Sequence, residues 1–274
     1  MKRAAAALVA ILAVAAGCGG SPANDALSQT ADNLGKIRSG DLTLRLVVSP
    51  RQGTKGRIGF ELRGPFALRA GALPVAKIAY TQIAGAREAT ATFISTGGKA
   101  YAEVNGKAYE LPREATQVIR QASSGTGGSN GLGQFEIGSW FDNPKMKSGD
   151  DIGGTATDHV VADLDVVAAA NGLLGFVRQL GRDAPQIQGD AADQLKQAVE
   201  SSSIEVWSGK EDHLLRRLLL NANLGLDVPE SLRRALGEVV GAKVDFELAV
   251  ANPNQPVTVA PPTNPLPSSA LPSG

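Results

Sequence analysis

Leu42-Thr43-Leu44-Arg45-Leu46-Val47-Val48 places apolar side chains at every second position, and Ile58-Gly59-Phe60-Glu61-Leu62-Arg63 repeats the pattern. A period of two is that of a β-strand with one face turned to a core. Leu44 and Leu46 in the first run, and Ile58, Phe60 and Leu62 in the second, are therefore expected to share one buried face. Further strand-like runs follow at short intervals, at Phe66–Ala70, Val75–Ile83, Glu88–Ser95 and Lys99–Val104. The last of these turns at Asn105-Gly106 into Lys107–Leu111, and Asn-Gly between two such runs is a strong hairpin signal. The connections are mostly too short for crossover helices, so the sheet is expected to be antiparallel. The closing runs are Ile204–Ser208, His213–Leu224 and Lys243–Ala251, where Val244, Phe246, Leu248 and Val250 lie opposite Asp245 and Glu247.

Between these strands the period lengthens. Helices are expected over Asp25–Arg38, Pro112–Ala122, Val166–Leu180 and Asp190–Ser201, with one more strand at Thr155–Leu164 and a short element at Trp140-Phe141. The result is an α+β reading with a single folded domain over residues 25–251. The apolar helix carries Leu173, Leu174, Phe176 and Val177, which are expected to face inward against Phe246 and Leu248. Composition does not tell a filled core from a lipid-filled cavity, because both use the same side chains. Residues 252–274 hold seven of the fifteen Pro and no charge. That stretch reads as a disordered tail adding little to folding, in which Val257-Thr258-Val259 is the segment able to pair as a short edge strand.

The start of the chain bears on its compartment. Lys2 and Arg3 precede an apolar run from Ala4 to Ala15, which ends in Ala16 and Gly17 just before Cys18, the only cysteine. The run is shorter than the roughly 20 apolar residues that span a bilayer. It reads as a lipoprotein signal peptide over residues 1–17, with Cys18 as the lipidated residue and 18–24 as a tether. Two acyl chains on Cys18 would anchor the protein in the outer leaflet of the cytoplasmic membrane.

The 27 basic and 27 acidic residues, a pI of about 6.8 and 4% aromatic content lack the footprint of a nucleic-acid binder. One Cys and two His build neither a disulfide framework nor an ordinary His/Cys zinc site. The segment from Gly125 to Gly133 follows a helix rather than a strand and lacks a Gly-Lys-Ser/Thr ending, so it reads as a loop, not a phosphate cradle. His159 and His213 each follow an Asp, but neighbours on a strand point to opposite faces, so neither dipeptide makes a dyad. Nucleophile-elbow, His-Glu-x-x-His and Ser-x-x-Lys signatures are missing. The expectation is no catalytic residue, no metal and no cofactor.

The order of segments resembles the actinobacterial LprG/LppX-type lipid-carrier lipoproteins, within the wider LolA-like group. The resemblance spans nearly the whole chain after the signal peptide. It is carried by Cys18, by the helix before Leu42–Val48, and by Thr92-Phe-Ile-Ser-Thr-Gly-Gly-Lys-Ala-Tyr101. It continues in Gly153-Gly-Thr-Ala-Thr-Asp-His159, Ile204-Glu-Val-Trp207, Leu214-Leu-Arg-Arg-Leu218 and Val257-Thr-Val-Ala-Pro261. Ala15 in the lipobox, the glycine-rich 125–133 and the Pro-rich tail depart from it. The resemblance implies a strongly curved antiparallel half-barrel whose concave face is covered by helices. It also implies an apolar cavity for acyl lipid or glycolipid, no cofactor, and a membrane transporter as a further candidate partner. Leu44, Leu46, Ile58, Phe60, Leu62, Leu173, Leu174, Phe176, Val177, Phe246 and Leu248 are then the expected cavity lining. The competing reading is a non-transporting envelope lipoprotein that senses or binds a protein partner.

Overall fold

The computed structural model describes residues 21–51, 56–124, 131–179, 183–225, 230 and 241–270. The expected signal peptide, Cys18 and residues 125–130 of the glycine-rich stretch lie outside the described residues.

Among the described residues, twelve strands form one open sheet. In chain order they are β1 (Ser39–Pro50), β2 (Ile58–Ala67), β3 (Val75–Ala84), β4 (Arg87–Thr96), β5 (Ala100–Val104), β6 (Lys107–Glu110), β7 (Phe141–Lys147), β8 (Asp151–Ile152), β9 (Thr155–Leu164), β10 (Val199–Gly209), β11 (Leu215–Leu224) and β12 (Ala242–Ala251). The order across the sheet is β6-β5-β4-β3-β2-β1-β12-β11-β10-β9-β7, with β8 added to β9, and every named pairing is antiparallel. The sheet is curved and open, with β6 and β7 at its two edges. The hairpin expected at Asn105-Gly106 joins β5 to β6, with both residues at positive φ (51° and 73°) as a type I′ turn requires.

The helices at Pro22–Leu34, Val166–Gln179 and Asp190–Ala198 pack on the concave face. α1 (Pro22–Leu34) begins where Ser21 caps it, its hydroxyl accepting from Asn24 N–H at 3.3 Å, with Pro22 at the first helical position. Its buried side, Ala23, Ala26, Leu27, Thr30 and Leu34, packs across β7, β9, β10 and β11. α2 (Arg113–Ser124) follows β6, and α3 (Val166–Gln179) and α4 (Asp190–Ala198) pack on each other. Asp165 caps α3, its Oδ1 accepting from Val167 and Ala168 N–H at 3.0 Å each. No described helix is long and apolar enough to cross a membrane.

Several boundaries differ from the sequence reading, each for a local reason. The first helix starts at Pro22 and stops at Leu34, because the cap lies at Ser21 and Gly35 closes the last turn. Phe66–Ala70 is not a strand of its own: β2 runs through Gly64-Pro65 to Ala67 in register with β1. The fourth helix ends at Ala198, and Val199, Glu200 and Ser201, expected as helical, join β10, where Val199 pairs with Leu224 and Ser201 with Asn223. Phe141–Lys147, polar and interrupted by Pro144, forms the edge strand β7, a place where Pro costs no ladder hydrogen bond. His213 precedes β11 in a turn, at φ 51°.

Residues 252–270 also differ from a disordered tail. They leave β12 and bond to the start of β1, where Asn254 N–H donates to Ser39 O at 2.8 Å and Arg38 N–H donates to Asn254 Oδ1 at 2.8 Å. They then reach the far edge strand β6 at Leu266. Pairing falls at Leu266 rather than at Val257–Val259.

Candidate functional site

The concave face of the central strands is a set of rows fixed by register. One row is Leu62, Leu44, Leu248, Leu218; the next is Phe60, Leu46, Phe246, Leu220; the next is Ile58, Val48, Val244, Ala222. These rows meet different cover. Over the first, α1 and the residues around Phe135 and Trp140 fill the space, and Leu44, Leu218 and Leu248 are all at most 2% exposed. Four aromatic rings close this half: Phe135 stands 5.0 Å from Phe176 and 6.3 Å from Phe246, and Trp140 meets Phe246 edge-on at 6.3 Å.

Beyond that aromatic wall the described residues leave the face unfilled. A cavity of about 230 Å³ lies under α3 and α4. Its sheet wall is Leu46 and Val48 of β1, Ile58 and Gly59 of β2, Leu220, Ala222 and Leu224 of β11, and Val244 of β12. Its helical wall is Val166, Ala169, Ala170, Leu173, Leu174 and Val177 of α3 with Leu195 of α4. Among the described residues of the lining, Asp183, exposed at the rim, is the only charged one.

The cover over the cavity is held as a unit. Asn171 of α3 clasps Ile187 from both sides, Nδ2 donating to its carbonyl at 2.9 Å and Oδ1 accepting from its N–H at 2.7 Å. Arg178 Nη1 donates to the carbonyls of Ala184 and Pro185 at 3.2 and 2.9 Å. Two side chains thus tie residues 184–187 to α3, and Leu174, Ile187, Leu195 and Ala198 form a small core of their own above the sheet. Gly172 sets α3 against the aromatic wall: a Cβ there would sit 2.6 Å from Trp140 Cζ2.

Of the expected lining, Leu46, Ile58, Leu173, Leu174 and Val177 surround this cavity. The other six do not. Leu44 and Leu248 belong to the filled row, Phe246 is in the aromatic wall, and Phe60 and Leu62 pack half-buried against the core. Phe176 stacks on Phe135 and lines a separate groove with Glu136, Ser139 and Asn171. The strand period gave the face correctly, but which rows are covered depends on the helices. Val48, Leu220, Ala222, Leu224 and Val244, absent from the expected lining, continue the same alternation. Their signal was the even-numbered stripe extended toward one end of each strand.

The histidines lie elsewhere. His159 is in the row of Trp207 and Arg217, of opposite parity to the cavity rows. It stacks on Trp207 at 4.2 Å with an 11° tilt, its Nε2 lies 2.8 Å from Glu205 Oε2, and Arg217 stands over the same indole at 5.9 Å. Asp212 bonds not to His213 but to buried Arg216, at 2.7 Å, and to the N–H of Leu214, at 3.0 Å. Burial opposes its charge, yet those two bonds and the charge of Arg216 outweigh it and hold the carboxyl below the ordinary carboxylate range.

No family model and no curated protein matches the chain. Among solved structures it is similar to LprF from Mycobacterium bovis, at 16% identity and a TM-score of 0.40 over 88% of this chain and 97% of that one. It is also similar to the Mycobacterium tuberculosis lipoprotein LppX, at 14% identity and a TM-score of 0.40 over 88% of this chain and all of that one (100%). A LolA-superfamily protein from Nitrosomonas europaea aligns at 7% identity and a TM-score of 0.23, over 84% and 94% of the two chains.

Proposed function

We propose that the protein is a membrane-anchored envelope lipoprotein that takes an acyl chain of a lipid or glycolipid into the cavity under α3 and α4. It thereby carries or holds that lipid outside the membrane. The observation that carries this reading is the unfilled apolar space beside a filled half of the same sheet face. Core side chains ordinarily close-pack, and a dry apolar void forfeits the contacts of its lining. An alkyl chain restores them. In water each methylene costs about 0.8 kcal/mol, so moving a chain from bilayer to an apolar cavity is nearly isoenergetic, whereas passage through water is not. The head group stays at the rim near Asp183, and no step uses a catalytic residue or a cofactor. The cavity is smaller than the roughly 300–1,000 Å³ typical of sites for drug-sized ligands, which fits one chain segment better than a bulky polar molecule. Cys18, diacylated after removal of residues 1–17, keeps the domain next to its lipid source, and the tether gives it reach.

The test uses the full chain carrying Cys18→Ala, recovered from the soluble fraction and extracted with organic solvent for mass spectrometry. Release from the membrane and a co-purifying acyl lipid are expected. Protein that stays membrane-bound contradicts the anchor. Protein that carries no lipid and binds no fluorescent fatty acid contradicts the cavity reading and leaves the partner-binding alternative.

A further inference from the structure

An open sheet ends in two strands whose outer backbone groups invite a strand from another molecule. Here those strands are β7 and β6. β7 carries Pro144, Lys145 and Lys147 and breaks register between Asp142 and Lys145, features that discourage further pairing. β6, Lys107-Ala108-Tyr109-Glu110, has neither a Pro nor a break in its four pairs with β5. The two-residue turn makes Val104 and Lys107 the closing hydrogen-bonded pair, so Lys107 and Tyr109 aim their backbone groups at β5. Ala108 and Glu110 aim theirs outward.

The tail meets those outward groups. Leu266 N–H donates to Ala108 O at 2.8 Å, and Glu110 N–H donates to Leu266 O at 2.8 Å, in a parallel bridge between Tyr109 and Leu266. Successive residues of an extended chain point their N–H groups in opposite directions. Residues 265 and 267 would therefore aim theirs away from β6, where a further strand would find them. Both are Pro, which has no N–H. The sequence Asn264-Pro265-Leu266-Pro267 keeps the one donor that closes the bridge and lacks the two that would pass the ladder on. The tail reaches this edge without strain. From Asn254, held at β1, to Leu266 is 12 residues. In polyproline form these span about 37 Å, against roughly 24 Å for the five strand spacings from β1 to β6.

We propose that residues 264–267 are a terminating cap, which occupies the β6 edge in cis and prevents a second copy of this chain from pairing its own β6 there. The test is sedimentation velocity over a wide concentration range, with the full chain carrying Cys18→Ala so that acyl chains do not drive association. The parent is expected to be monomeric. Pro265→Thr/Pro267→Thr restores outward donors with the cap in place, and Leu266→Pro removes the donor that docks the cap. Both are expected to dimerise, with a dissociation constant lower than the parent's by about tenfold or more, because several backbone hydrogen bonds form across the new edge. Pro261→Thr/Pro262→Thr, outside the bridge, is expected to behave as the parent. With Ala108→Cys added to Leu266→Pro, whose β6 edge is uncovered, the dimer is expected to cross-link on oxidation through what is then the only thiol. Monomers in both bridge variants, or a Leu266→Pro dimer that does not cross-link at position 108, would overturn the proposal.

Discussion

Leu44 and Leu46 stand two residues apart on one face of β1, yet one ends in packed side chains and the other in the cavity. Replacing each by Trp turns that difference into a measurement. At about 24 cal/mol per Å³, an unfilled volume of about 230 Å³ corresponds to about 5.5 kcal/mol of packing not realised. A Trp at position 46 recovers part of this as its ring enters the void, which offsets the roughly 1–3 kcal/mol that a forced small-to-large change costs in a close-packed core. A Trp at position 44 has no such offset, because Leu44 is 2% exposed among Leu62, Leu248 and the cover of α1. For a domain of this size about 1 kcal/mol shifts Tm by roughly 2–4 °C. Leu44→Trp is therefore expected to lower Tm by about 2–12 °C, and Leu46→Trp to hold it within about 2 °C of the parent. Binding of a fluorescent fatty acid, read on the same samples below their melting range, is expected to persist in Leu44→Trp and to be lost in Leu46→Trp. Equal losses of Tm for the two variants, or a Leu46→Trp protein that binds the probe as the parent does, refute the division of this face into a filled half and an empty one.

Two further expectations concern the parts that frame the site. Gly172→Ala gains up to about 1 kcal/mol of helix propensity, but its new Cβ meets the Trp140 ring at 2.6 Å and that ring is 1% exposed with no room to retreat. The overpacking cost of roughly 1–3 kcal/mol should win, so urea unfolding is expected to show a net loss of stability; a gain would mean the aromatic wall yields freely. Asp212→Asn is expected to destabilise at neutral pH, because it removes the charged partner of Arg216, whose side chain is only 6% exposed. The folded pKa of Asp212 lies below the ordinary 3.8, so its contribution is present above that value and is lost as pH falls through the lower folded one. The gap between parent and variant should accordingly narrow only below about pH 4, and a gap unchanged from about pH 7 to about pH 3 would exclude this linkage.

The antiparallel sheet was readable because its cause is local. Leu42 to Val48 shows its buried face in a few residues, and Asn105-Gly106 states its own turn geometry. The helices were readable where apolar spacing was clear, as in Val166–Gln179, and shifted by several residues where the boundary rests on one cap, as at Ser21. β7 was hidden because an edge strand buries little, so nothing in Asp142-Asn143-Pro144-Lys145 records that β9 lies beside it. The docked tail was hidden for a related reason: a Pro-rich, uncharged stretch has no period, and its order comes from backbone groups that Ser39, Ala108 and Glu110 offer from far away in the chain. The cavity posed the hardest case. Leu44, Leu46 and Val48 look alike in sequence, and what separates them is how far α1 and the ring of Phe135 reach along the strand before α3 takes over. That limit is set by contacts such as Gly172 on Trp140 and Asn171 on Ile187, between residues whose meeting no periodicity encodes. Parity along a strand selects the face, and helix placement selects the row. For a protein whose proposed ligand is only a hydrocarbon chain, that second choice decides whether identical leucines make a core or a binding site.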